Sequence, residues 1–427
     1  MDSEKWLCFS EGASYSVKQY VNIVNAISAD TAVITVRNNS FSWNITGFSV
    51  IDETPVIVFP KNYTLPEDED TFKQEAIILL KTLIRYRNER DIEAEEKELL
   101  YGRSINNSNR IAAAVYIIED YMQSGLIKRK RTVISQNVPG RIHWGRTISK
   151  TMPLFNGGEV IYSSPVMISS TYDSMNLLRN LHEYIVYDCA RLWGWLLDFE
   201  DPGFEITEMP CPFEEAIDLL KEELTSTFVQ REISLISTMI EYLEALRGIR
   251  DSQQVEFLST PYFHWIWEAI CGYVFDNDYN RLKQYVPSPE WHSDAFSAGI
   301  EQRPDILFYS GNTFYILDAK YYNYHKNVPG WHDVVKQYFY RLTIMQALNK
   351  KKSSELAGIS NVENVFVFPG DKGSGTKYLG YVDVSDVAEL GNVKAYIIDS
   401  KVAMKAYAYQ EDSKFKDELM KELRRIM

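Results

Sequence analysis

The chain has 427 residues, 45% of them hydrophobic and 24% charged, which excludes a stapled mini-protein or a disordered polymer and leaves room for two or three folded units. Lys plus Arg number 45 against 59 Asp plus Glu, and the resulting net charge of -14 argues against a protein that coats nucleic acid non-specifically. No run reaches the ~18 apolar residues of a membrane helix, the first twenty residues lack a secretory core, and Cys8, Cys189, Cys211 and Cys271 lie far apart, so the expected setting is a reducing cytoplasm with no membrane contact.

The N-terminal segment reads as strands. Ala32 to Val36 is β-rich, Asn38-Asn39 supplies a turn, Phe41, Trp43 and Ile45 alternate with polar residues, and Val56 to Phe59 is stopped by Pro60. An acidic linker, Glu67-Asp68-Glu69-Asp70, precedes a helix from Phe72 to Tyr86. A second helix, Asn109 to Gln123, ends at Ser124-Gly125, where glycine takes the left-handed cap.

A basic stretch follows: Lys128, Arg129, Lys130, Arg131, Arg141, Arg146 and Lys150, with no acidic residue between Ile127 and Lys150. Val138-Pro139-Gly140 supplies a turn at its middle, which predicts a projecting basic β-hairpin. Consecutive charges place cations on both faces of a strand, so it stays solvated and is suited either to phosphates or to an acidic partner surface, or is merely solvated. Beyond it the chain is helical, with apolar stripes at Leu177 to Leu196 and at Ile233 to Leu243 that end near Gly248 and are read as core.

From Thr260 the pattern changes. Thr260-Pro261 opens a helix running through Glu268 to about Tyr273. Strands at Ile306 to Tyr309 and Thr313 to Lys320 flank the turn Ser310-Gly311-Asn312, a helix spans Asp333 to Leu348, and Val365 to Phe368 is a further strand. The expected architecture is α/β (α+β): a mixed N-terminal domain over 1–170, a helical region over 171–255, and a C-terminal core with a small mixed sheet over 256–427.

Arg303-Pro304-Asp305 stands thirteen positions ahead of Asp318-Ala319-Lys320. A tight hairpin brings Asp305 near Asp318, and period two puts Asp318 and Lys320 on one face. Two carboxylates with the carbonyl of Ala319 suit Mg²⁺, and Glu268 offers a further ligand or a second ion site. Such an ion activates water and offsets charge on a phosphoryl oxygen, while Lys320 orients the water and stabilises the transition state. The blander reading is an Asp318–Lys320 ion pair at a sheet edge. Lys336, Gln337 and Tyr340 lie on one helix behind this site as supporting residues. His264, His325 and His332 have no metal or triad spacing and are read as structural or DNA-facing. Gly370 to Lys377 superficially suggests a phosphate-binding loop but has Thr376-Lys377 in the wrong order, so it is a flexible turn and no nucleotide-hydrolysis motif is present.

These residues resemble the PD-(D/E)xK nuclease signature. Arg-Pro-Asp-Ile followed by Ile-Leu-Asp-Ala-Lys-Tyr is similar to McrC-like and LlaJI-type restriction endonuclease subunits. Val58-Phe59-Pro60-Lys61, Gly140-Arg141-Ile142-His143-Trp144 with Arg146-Thr147-Ile148, and Trp267-Glu268 look like further segments of that group. The resemblance implies a restriction subunit that cuts double-stranded DNA with Mg²⁺, with Mn²⁺ able to substitute, working beside a McrB-like AAA+ GTPase. It implies Asp305, Asp318, Lys320 and Glu268 as catalytic residues, with Asp305, Asp318, the Ala319 carbonyl and Glu268 holding the metal, a nuclease-domain dimer for double-strand cleavage, and Lys128, Arg129, Lys130, Arg131, Arg141 and Arg146 as DNA or partner contacts. The alternatives are a self-sufficient type II restriction enzyme and a non-catalytic DNA-binding adaptor.

Overall fold

The computed structural model describes residues 6–27, 33–51, 54–89, 110–136, 139–172, 176–199, 203–252, 256–292, 297–299, 302–350, 356, 358–370, 373 and 375–426. The chain is mixed α/β and forms two compact units, one built from 1–105 together with 253–427, the other from 106–252. The three successive segments expected from sequence therefore give way to a discontinuous unit carrying an insert.

Strand pairing explains the discontinuity. Strands Leu7–Ser10, Thr54–Phe59, Thr46–Ile51 and Glu256–Thr260 lie side by side in that order, so the N-terminal sheet takes its fourth strand from beyond the insert. Gly47 permits this approach: its backbone has φ +139°, and an added Cβ would lie 2.3 Å from the Leu258 carbonyl oxygen. A smaller sheet pairs Ile34–Arg37 with Ser40–Trp43 around Asn38, which turns at φ +53° as expected of the Asn-Asn turn. Phe9, Phe41 and Trp43 are fully buried and pack with Tyr15 and Tyr20 at ring separations of 4.8 to 6.4 Å. Each such buried aromatic contributes about 1.5–3 kcal/mol through removal from water. Ala32 lies outside the described residues.

The acidic run is no linker. The helix starts at Glu69 and runs to Asn88; Asp68 is its N-cap, accepting from Thr71 N at 2.8 Å, and Glu69 and Asp70 occupy the first turn, where the helix dipole favours negative charge.

In the insert, helices Arg110–Ser124, Leu177–Trp193, Phe213–Ser226 and Gln230–Ser252 pack on one another. Gly125, at φ +69°, caps the first of them as its position predicted, and the last continues beyond Gly248 to Ser252. Asp188 ties the bundle together, accepting from Tyr242 Oη at 2.6 Å and pairing with Arg110 at 3.5 Å.

The basic hairpin is corrected. Lys130–Ser135 pairs with Met167–Tyr172, as does Arg141–Ile142, so a third strand separates the two expected arms. Gly140 makes this pairing sterically feasible, since a Cβ there would stand 2.0 Å from the Ile168 carbonyl oxygen. Val138 lies outside the described residues, and Trp144–Lys150 is a short helix.

The C-terminal sheet has the order Ile306–Ser310, Thr313–Ala319, Asn361–Gly370, Asn392–Asp399 and Thr376–Asp383. Its three inner strands are parallel and both edge strands antiparallel. Helix Trp331–Lys350 makes the crossover between the first parallel pair, as such a connection requires. Thr260 ends the preceding strand, and the helix after Pro261 begins only at Phe263, running to Val274. Of the glycine-rich loop, Asp371, Lys372 and Ser374 lie outside the described residues.

Candidate active site

Strand Thr313–Ala319 is buried along its whole length because helices cover both faces. Its even positions face helix Trp331–Lys350: Phe314 and Ile316 pack with Tyr340 and Ile344. Toward the strand's carboxyl end this apolar face turns polar, where Asp318 and Lys320 meet Asp333 and Lys336. Asp333, Lys336, Gln337 and Tyr340 share one helix face by their spacing of three and four.

Asp305 stands one residue beyond the last hairpin pair, Ile306 with Leu317, and so lies opposite Asp318. The Asp305 Oδ2 accepts from the Ala319 N–H at 2.9 Å, while Asn277 Nδ2 donates to the Asp305 carbonyl at 2.9 Å. Burial, then the charges of Asp318 and Glu268, push the Asp305 carboxyl well above the usual carboxylate range; Lys336 and the Ala319 N–H oppose this. The expected meeting of Asp305 and Asp318 is found, and Glu268 is near enough to act on Asp305 electrostatically.

Asp318 is 1% exposed. Its Oδ2 lies 2.7 Å from the Lys320 ammonium and its Oδ1 3.7 Å from that of Lys336. Lys320 therefore makes a close ion pair with Asp318, and Lys336 a longer one. Lys320 Nζ donates to Asp333 Oδ1 at 2.7 Å, and Tyr322 Oη donates to Asp333 Oδ2 at 3.3 Å. Burial works against the charge of Lys320, but Asp318 and Asp333 outweigh it and raise its pKa; the Lys336 pKa is raised by Asp318 and Asp305 in the same way. Lys320 bonding pulls Asp333 below its ordinary value against the effect of burial.

Gln337 is fully buried with neither side-chain amide atom hydrogen-bonded among the described residues, and Tyr340 is buried beside Lys336, which stands 5.6 Å from its ring centre. Asp333 and Tyr322 were not singled out from sequence. The signal was the spacing of Asp333 to Lys336, Gln337 and Tyr340, which puts an acid on the same face.

The donor set fits a hard divalent cation. Two buried carboxylates face each other here, and the charge of Asp318 raises the pKa of Asp305. Among the described residues no three metal-binding side chains converge as a closed cage. Carboxylate oxygens of this kind suit a hard cation that keeps several waters.

Other expected contacts are distributed differently. Arg129 is half-buried in a structural clamp, 3.0 Å from both Glu223 and Glu232, while Lys128, Lys130, Arg141 and Arg146 are exposed. Arg131 lies in a strand. His264 is half-buried among Tyr262 and Trp265, and burial followed by the charge of Lys61 lowers its pKa; His325 and His332 are exposed. No helix among the described residues is long and apolar enough to cross a membrane.

The mixed sheet presents the opposed aspartates, with a lysine two residues on, that the sequence spacing predicts. The model of the LlaJI restriction endonuclease family matches residues 46–401, which contain every residue of this site, and the chain belongs to that family. A relative named type II restriction enzyme BsuMI component YdjA, from Bacillus subtilis (strain 168), is 25% identical over 313 residues; the match covers 66% of this chain and spans 63% of the relative's length. Among solved structures, a half-complex from a tetradecameric assembly of Thermococcus gammatolerans McrB AAA+ hexamers with bound McrC gives a TM-score of 0.44 at 14% identity, covering 94% of this chain and 98% of the matched one. The McrBC complex of the same organism gives 0.26 at 13% identity, covering 56% and 79%.

Proposed function

We propose that this chain is the nuclease subunit of a cytoplasmic restriction system, hydrolysing phosphodiester bonds of double-stranded DNA with Mg²⁺ and working beside a McrB-like AAA+ GTPase. The observation that carries the reading is the buried Asp318, which faces Asp305 and is flanked by the Lys320 ammonium at 2.7 Å. Family membership supports the nuclease class. The word "component" in the relative's name supports a division of labour.

Asp305, Asp318 and the Ala319 carbonyl would hold the metal, while Glu268 acts on Asp305 through its charge. When bound, the ion supplies Lewis-acid charge compensation and a more acidic water. The chain's own residues then position the reaction. Lys320, kept charged by Asp318 and Asp333, places an ammonium where negative charge grows on the phosphoryl oxygens. Asp333 and Tyr322 fix its direction, and Lys336 adds a second cation to the same wall. The exposed Lys128, Lys130, Arg141 and Arg146 offer phosphate or partner contacts from the insert.

The test is cleavage of supercoiled plasmid by the full chain with Mg²⁺, with and without the AAA+ partner and GTP. Cutting that requires the partner and disappears in Asp305→Ala and Lys320→Ala supports the reading. Site-specific cutting by the chain alone replaces it with a self-sufficient enzyme, and cutting by either variant at the wild-type rate removes the catalytic assignment.

A further inference from the structure

The residue after Lys320 is held from an unexpected direction. Tyr321 is buried, and its hydroxyl donates to Glu11 Oε2 at 2.7 Å while accepting from the Lys61 backbone N–H at 2.7 Å. Glu11 is itself 7% exposed and fully engaged: its Oε2 also accepts from Thr46 Oγ1 at 2.6 Å, and its Oε1 pairs with the Lys61 ammonium at 3.2 Å. That ammonium also lies 4.8 Å from the centre of the Tyr321 ring. The neighbouring Asn62, held at φ +60°, donates to the Tyr322 carbonyl at 2.8 Å and to that of Pro369 at 3.3 Å.

Three consecutive residues are thus pinned. Lys320 N donates to Val367 O at 2.8 Å within the C-terminal sheet, but the Tyr321 side chain and the Tyr322 carbonyl are fixed by residues of the N-terminal segment. Tyr322 then bonds Asp333, which bonds Lys320. Phe263, at a ring separation of 5.3 Å, packs on Tyr321 and completes its enclosure. Core packing alone needs no carboxylate here, since an apolar cluster costs no desolvation of charge. A buried Glu–Lys–Tyr–Thr network instead specifies one orientation.

We propose that Glu11, Thr46, Lys61 and Tyr321 form a positioning cluster through which the N-terminal sheet sets the placement of Lys320 against Asp318. This rests on the nuclease reading and extends it: residues far from the motif in sequence are part of the site's support. They touch neither DNA nor the reacting phosphate in this scheme, so they act on turnover and leave substrate affinity unchanged.

The test uses the full chain with its AAA+ partner, Mg²⁺ and supercoiled plasmid, comparing wild type, Tyr321→Phe, Glu11→Gln, Lys61→Met, Lys61→Arg and Lys320→Ala. Trp43→Phe, in the N-terminal aromatic core, is the stability-matched control. Tyr321→Phe and Glu11→Gln are expected to lower kcat roughly ten- to a hundred-fold, the scale of a small misplacement, with KM for DNA within about two-fold. Lys61→Met should behave similarly and Lys61→Arg should recover most of the rate. Folded Tyr321→Phe and Glu11→Gln proteins with wild-type kcat overturn the proposal, as does an equal loss in Trp43→Phe at the same Tm. An inactive wild type or an active Lys320→Ala overturns the nuclease reading itself and the proposal with it, a different pattern from either.

Discussion

Asp188 in the insert and Asp318 in the discontinuous unit are both buried aspartates flanked by cations, yet their surroundings differ in kind. Asp188 accepts from the Tyr242 hydroxyl and pairs with Arg110 and Arg191, so both its oxygens are used. Asp318 is more deeply buried, has the Lys320 ammonium at 2.7 Å and that of Lys336 at 3.7 Å, and faces a second carboxylate whose own protonation it favours. Paired only with opposite charge, a buried carboxylate holds helices together; set against a like charge, it works against its neighbour's ionisation. The same contrast separates the clamp Arg129–Glu223–Glu232 from the crowded pair Asp305–Asp318.

The sharpest way to break this comparison is to exchange loss of chemistry for loss of stability. Lys320→Ala should reduce cleavage by about a thousand-fold or more, read by plasmid linearisation, while calorimetry shows an unchanged fold. Asp188→Ala should do the reverse, destabilising the insert by about 3–5 kcal/mol in denaturant titration because Arg110 is left buried without its carboxylate.

Acid should distinguish the two units further. His182 is fully buried, its Nδ1 accepts from the Ile127 N–H at 3.1 Å, and burial lowers its pKa to about 4. The unfolded chain binds that proton from about pH 6.5 downward, so the insert should lose up to about 3 kcal/mol between pH 6.5 and 4, and His182→Gln should flatten the loss. Asp305 has the opposite sign. Its raised pKa means the folded state takes up a proton first, so acidification from above the folded pKa toward the ordinary carboxylate range stabilises the discontinuous unit, and Asp305→Asn removes the effect. The smallest effect belongs to Tyr322→Phe, which deletes one 3.3 Å bond to Asp333 and should slow turnover only a few-fold in steady-state kinetics.

The site was legible where local rules decide geometry. A two-strand hairpin with fixed register makes Asp305 oppose Asp318, and period two aligns Lys320, so the motif followed from spacing. Asp333 escaped notice because its role depends on how a crossover helix is rotated over the sheet, which a helical stripe alone leaves open. The basic hairpin failed for a related reason. Strand pairing is non-local, and Met167–Tyr172, with its Ser-Ser-Thr run, gave little sign that it would come between two basic arms. The acidic run before Phe72 was read by composition, whereas Asp68 is placed by the capping chemistry of the helix it starts.

The pairing of Thr46–Ile51 with Glu256–Thr260 also dictates an order of events at birth. A ribosome emits the first strand about 200 residues before its partner, roughly 10–40 s earlier at ordinary bacterial to eukaryotic elongation rates. Throughout that interval the strand has an open hydrogen-bonding edge, the kind of surface that recruits chaperones or aggregates. The helical insert is rich in local contacts, the kind that form early. Slowing translation between residues 106 and 252 should therefore lower soluble yield, and grafting strand 256–260 directly after residue 105 should restore it.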